Sequence, residues 1–138
     1  MATTFTPAEL AYLSSQRLGR LATIAPSGVV YNNPVTFFVD ADNGHVDIGG
    51  VMMEKTQKFR NVEANSGVSL VVDDIKSLDP WQVRGIEIRG DAEAVTLDEP
   101  LKPHQRPQII RIHPRRVLTW GVEAGPMRML ARNVAVQE

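Results

Sequence analysis

The chain has 138 residues, 43% of them apolar and 22% charged, with a formal net charge of −1 and no cysteine. That composition suits a folded core and excludes a disordered chain. The near-neutral charge excludes a global field for nucleic acid or an anionic membrane, and the lack of cysteine excludes disulfides, thiolate catalysis and Cys-ligated metal centres.

The first element is legible from its start. In FTPAELAYLSSQ, Thr6 is the expected N-cap, Pro7 the first helical residue and Glu9 the partner of a capping box. Phe5 and Leu10 stand at the staple positions, and Leu10 and Leu13 share a face. Phe5–Leu13 is too short and too polar for a signal peptide or a membrane span, so a cytosolic protein is expected.

The pattern then shifts to period two. GRLATIAP reads as a strand with Ser27 and Gly28 as its turn, and VVYNNPVTFFVD as a second strand. Pro34 cannot donate to a ladder, so it marks an edge, a bulge or a gap filled by something else. HVDIGG is a third strand. A short helix follows, with Lys55 and Lys58 in its first turn and Asn65–Gly67 as its C-cap. VSLVVDD reads as a buried strand, IKSLDPW as a loop, and RGIEIRGDAEAVTL as a long strand with a bulge or bend at Gly90. DEPLKPHQRP is irregular, and QIIRIHPRRVLTWGV closes the sheet with a break at Pro114. About six strands with two or three short helices predict a mainly β protein, a small closed or split β-barrel, as one domain over residues 1–138.

The lysine helix carries the strongest chemical signal. A helix N-terminus disfavours cations unless an anion sits there. Gly49 and Gly50 allow close backbone approach, free amides add to an anion site, and Lys55, Thr56 and Lys58 add two charges and a hydroxyl. Spacing alone still favours a solvated helix face. His45, His104 and His113 have no metal-ligand spacing and read as surface or turn residues, so no metal site is expected. Asp73, Asp74 and Asp79 read as a turn of solvated acids. Trp81 either stacks on a planar ligand or plugs the barrel end. Trp120 is a core or interface tryptophan, or an aromatic that meets a flat cofactor.

RLGRLATIAPSG, the strand–lysine-helix unit, DPWQVRGIEIRG and RVLTWG together resemble the pyridoxamine-phosphate-oxidase-like flavin and deazaflavin oxidoreductases, over about Glu9–Gly121. The DPW…RGIEIRG run resembles the actinobacterial branch that includes the reductase of oxytetracycline biosynthesis and is associated with the deazaflavin coenzyme F-420. The resemblance implies a split-barrel homodimer with cofactor sites at the subunit interface. It implies Lys58 as the phosphate lysine, seven residues before Asn65, with Lys55 as second charge and Thr56 beside them. Gln57 stands where the oxidases have an arginine, which departs from pyridoxamine phosphate oxidation. Asn33, Pro34, Val35 and Thr36 become the strand contacts to the ring, with Gly49 and Gly50 nearby, and Trp120 reaches the cofactor from the second subunit. The implied activity is hydride transfer from F-420 to a small or mid-sized conjugated acceptor. FMN in the same fold, or a non-catalytic binder of flavin, deazaflavin or heme, are the alternatives. No general acid is identified beyond Tyr31 or solvent. Residues 75–83 and 98–107 are expected to frame the acceptor pocket. No nucleic acid or membrane partner is expected.

Overall fold

A computed structural model describes residues 4–123, 125 and 127–135. Helix α1 (Pro7–Ser15) begins as its sequence dictates. The Thr6 hydroxyl accepts the Glu9 amide at 3.1 Å, and a Glu9 carboxylate oxygen accepts the Thr6 amide at 3.0 Å. The strands are β1 (Leu18–Ile24), β2 (Val30–Asp40), β3 (His45–Gly49), β4 (Gly67–Leu78), β5 (Trp81–Thr96), β6 (Gln108–Trp120) and β7 (Met129–Asn133). Gly28, at φ +89°, makes the β1–β2 turn that only a glycine adopts cheaply.

All ladders are antiparallel, in the order β3-β2-β1-β4-β5-β6-β7, and β3 also pairs with β6. That extra pairing closes six strands into a barrel. Strand β6 lies against β5 along its whole length, while its other edge is divided. Ile110–Ile112 pair with β3, and Arg116–Trp120 pair with β7. The split is therefore a change of partner along one strand.

The barrel fills because alternate residues are branched and apolar. Ile48, Leu70, Ile86, Ile88, Ile110 and Ile112 are fully buried, each worth about 1.5–3 kcal/mol of transfer free energy. Helix α2 (Gln57–Ala64) adds Phe59 and Val62 to the same core. At Gly90 the β5–β6 register shifts, and a Cβ there would stand 2.2 Å from the His113 carbonyl oxygen. The bulge expected at Gly90 lies instead on the facing strand: Arg115 of β6 is the extra residue, opposite the Arg89–Gly90 step of β5. No helix among the described residues is long and apolar enough to cross a membrane.

Five local expectations are corrected. IKSLDPW is not a loop: β4 runs on to Leu78 and pairs with β5 through Leu78–Trp81, forming a hairpin. Asp74 is not a solvated turn residue, since Arg84 donates to it twice, at 2.8 and 3.1 Å, and the Tyr12 hydroxyl donates at 2.8 Å. Strand β6 passes through Pro114 with a register shift and no break. His45 is buried, with ring nitrogens 3.2 Å from Asp47 and 3.5 Å from Asp40. Trp81 stands 63% exposed at the hairpin tip and plugs nothing within its own chain.

Candidate functional site

The barrel wall is open beside one strand. β2 pairs with β1 from Val30 to Thr36, but β3 reaches only from Asp40 back to Thr36. Along residues 30–35 the second edge of β2 has no strand neighbour among the described residues. Pro34, opposite Arg20 in the β1 ladder, lies in this one-sided stretch, where a missing donor is tolerated. Val35 is buried in the core, so only its main chain faces the gap. Asn33 and Thr36 are half-buried and Pro34 is exposed.

Just past the gap the chain leaves β3 at Gly49, which pairs with Thr36. It makes a 3-10 turn over Met53–Lys55, breaks at Thr56, and enters α2. The two lysines therefore do not share a helical turn, contrary to the sequence expectation. Lys55 ends the 3-10 turn and is exposed, and Lys58 is the second residue of α2 and is half-buried. Thr56, in extended conformation, is the N-cap. Its hydroxyl accepts the Phe59 amide at 3.3 Å and donates to the Met53 carbonyl at 2.7 Å. The helix ends within the expected Asn65–Gly67 segment: Asn65 is the C-cap, in extended conformation, and Gly67 already belongs to β4.

The helix is held by a polar anchor that periodicity did not reveal. Asn61, fully buried, donates to the Thr23 hydroxyl at 3.0 Å and accepts from Gln57 Nε2 at 2.8 Å. A polar residue between Phe59 and Val62 on an apolar face was the available signal. Arg60 donates to the Lys55 carbonyl at 3.1 Å and to Gln57 at 2.9 Å, which ties the 3-10 turn to the helix.

This leaves a cation and free main-chain amides together at the N-terminus of α2. The amides of Gln57 and Lys58 find no acceptor among the described residues, as expected for a first helical turn. Burial alone pulls the Lys58 ammonium below the ordinary lysine range, with no carboxylate offsetting it. A desolvated cation, two free amides and a helix N-terminus can hold a phosphate.

Trp120 is not brought to this region within one chain. It stands at the far end of β6, opposite Gly85 on β5 and Met129 on β7. The chain segment before β6 was expected to frame a pocket, and it does cover the end of β3. The Arg106 amide donates to the Gly50 carbonyl at 3.1 Å, and Arg106 Nε lies 3.6 Å from Glu54.

A model of the pyridoxamine 5'-phosphate oxidase family matches residues 5–124. The chain belongs to that family. A member of known activity, the 5a,11a-dehydrotetracycline/5a,11a-dehydrooxytetracycline reductase of Streptomyces rimosus, is 45% identical over 120 residues, 86% of this chain and 84% of that one. Among solved structures, a conserved hypothetical protein of Mycobacterium tuberculosis superposes with a TM-score of 0.64 at 24% identity, covering 84% of each chain. The FAD binding protein of Mycobacterium smegmatis superposes at 0.59 and 24%, covering 83% of this chain and 92% of that one. These two likenesses establish the shared barrel. The family match and the reductase relative support an oxidoreductase on the pyridoxamine 5'-phosphate oxidase fold.

Proposed function

We propose that this protein is a homodimeric, cytosolic, single-domain reductase that binds coenzyme F-420 and passes a hydride to a small or mid-sized conjugated acceptor. The observation that carries the cofactor reading is Lys58: a half-buried ammonium that makes no ion pair among the described residues, in the first turn of a helix whose Gln57 and Lys58 amides are free there. The reductase relative, whose name places its reaction at a dehydro bond of a tetracycline skeleton, supports the acceptor class.

In this reading Lys58 and the Gln57 and Lys58 amides hold the phosphate, with Lys55 as a second, looser charge. Thr56 fixes the turn that presents them, and Asn61 locks α2 to Thr23 so that the cradle does not drift. The one-sided stretch Asn33–Thr36 takes the ring edge, with Val35 anchored in the core behind it. Gly49 and Gly50 keep the floor close. Trp120 comes from the second subunit. Bound, reduced F-420 supplies a hydride, while the protein orients the partners and excludes water. The proton for the acceptor comes from solvent or Tyr31.

FMN is the second reading, because the same cradle suits any flavin phosphate. The purified protein is titrated with F-420 and with FMN, and reoxidation of each reduced cofactor is followed with cyclic conjugated enones. Tight F-420 binding with acceptor-dependent reoxidation supports the first reading. A yellow protein that turns over FMN supports the second, and binding without turnover by any acceptor leaves a carrier.

A further inference from the structure

The segment before β6 is fixed by its own main chain. The Leu97 amide donates to the Pro107 carbonyl at 2.8 Å, and the Gln105 amide to the Lys102 carbonyl at 3.0 Å. Leu101 and Gln105 fill the space that a Cβ on Gly49 would need, which seats the segment on the end of β3. Lys102 is thereby held beside β2, its ammonium 5.4 Å from the centre of the Phe38 ring. Across from it, α1 ends at Ser15 and the chain passes through the cap Gln16 to Arg17. A cavity of about 340 Å³ has Arg17, Leu18, Thr36, Phe38 and Lys102 in its lining. No carboxylate lines it. Neither Arg17 nor Lys102 makes an ion pair among the described residues. The Ala11, Tyr12 and Leu13 carbonyls at the end of α1 are already taken, by the Ser14 hydroxyl at 2.9 Å, the Ser15 hydroxyl at 2.6 Å and the Gln16 amide at 3.3 Å.

We propose that this cavity is the acceptor site, and that Arg17 and Lys102 select an acceptor that carries a carboxylate on its flat, conjugated body. This rests on the proposed function above, in which Thr36 meets the edge of the cofactor ring. An acceptor that takes a hydride lies against that ring, and Thr36 is a wall of this cavity. The volume is near the lower end for ligand pockets, so it suits a compact acceptor. Leu18 and Phe38 give apolar surface to the body of such a molecule. The only full charges in the lining are the two cations, so the complementary ligand is an anion. A guanidinium offers a fork to the two oxygens of a carboxylate, and an ammonium adds a point charge. The Phe38 ring holds Lys102 in place, so less side-chain freedom is lost on binding.

The test uses a matched pair of enones, 4-(3-oxobut-1-enyl)benzoate and its methyl ester. Calorimetry gives the Kd of each for the cofactor-free protein, and reoxidation of reduced F-420 and reduced FMN gives kcat/KM for each. The wild type is expected to bind the carboxylate about tenfold more tightly than the ester and to show the same preference in kcat/KM. Raising the salt from about 0.05 to about 0.5 M should shrink that preference, a measurement that needs no mutant. In Arg17→Gln and in Lys102→Gln the preference should fall to about threefold, and in the double variant it should vanish. Equal affinity of the wild type for the two enones overturns the inference, as does a carboxylate preference that survives in the double variant. A higher Kd for F-420 in the double variant also overturns it, since the cavity then belongs to the anionic groups of the cofactor. If neither reduced cofactor is reoxidised by either enone, while the carboxylate preference in binding follows the two cations, the cofactor reading falls and the acceptor site with it. If F-420 or FMN binds through Lys58 and turns over while both enones are used equally well, this inference alone falls.

Discussion

Trp120 occupies the space that a side chain at position 85 would need: a Cβ on Gly85 would stand 2.3 Å from Trp120 Cζ2 and 2.6 Å from Cε2. The two residues are direct partners across the β5–β6 ladder. Gly85→Ala should therefore displace the indole and destabilise the fold by about 1–3 kcal/mol, the usual cost of overpacking. In a Trp120→Ala background the same substitution should cost almost nothing. Denaturant melts of the four proteins measure the coupling, and additive effects would show that the indole does not hold this place.

Lys58→Ala should raise the Kd for F-420 very roughly ten- to a hundredfold, from loss of a charge-assisted contact of about 1.5–3 kcal/mol. Lys55→Ala should show a weaker form. The ligand-free melt should stay put or rise slightly, since a desolvated ammonium in a first turn is a cost to the fold. Unchanged affinity in Lys58→Ala returns both lysines to a solvated face.

The same lysine predicts a pH profile. Burial makes the folded state hold the Lys58 proton less tightly than the unfolded chain, so its cost to stability is full at neutral pH. That cost is relieved as pH rises through the lowered pKa toward 10.5. A bound anion has the opposite preference. Cofactor affinity should fall as pH rises, starting below the ordinary lysine range, and Lys58→Ala should lack that limb. Parallel profiles for the two proteins would remove Lys58 from the cradle.

Asp74 controls acid stability. The paired Arg84 guanidinium, helped by the Tyr12 hydroxyl, holds its carboxyl below the ordinary value of 3.8. Its contribution is complete above that value and is lost as pH falls through the lowered folded pKa. Asp74→Asn should be less stable at neutral pH and should lose less stability on acidification. Thermal melts from pH 6 down to about 2 decide it, and identical acid slopes would count against the pair.

Arg132 donates to both carboxylate oxygens of Glu9, each at 2.6 Å, and to the Thr4 carbonyl at 2.7 Å. Glu9 is 1% exposed. Arg132→Met should cost about 3–5 kcal/mol, because it strands a buried carboxylate. Adding Glu9→Gln should recover part of the loss. Urea unfolding of single and double variants tests it, and a loss under about 0.5 kcal/mol would place the pair among surface ion pairs.

What the sequence made legible follows the core. The Thr6–Glu9 cap, β1, β2 and β3 were readable because capping chemistry or one buried face left a pattern. Residues 75–78 were not, since the hairpin exposes Ile75, Leu78 and Trp81 and so leaves no alternation to read. Strand β7 was missed for the same reason: Met129, Leu130 and Ala131 are exposed, and only main-chain pairing to β6 defines them. At the candidate site, Lys58 was legible as a charge out of place, whereas the break at Thr56 was not.

The divided edge of β6 also sets an order on synthesis. Asp47 of β3 meets Arg111 of β6 through a bidentate contact at 2.9 and 3.1 Å, across 64 residues of chain. Until that stretch has left the ribosome, β3 and β5 each have one edge paired, to β2 and β4, and one edge bare. A chain cut short before Ile110 therefore keeps the outer edges of β3 and β5 unpaired, the kind of bare sheet margin that invites association.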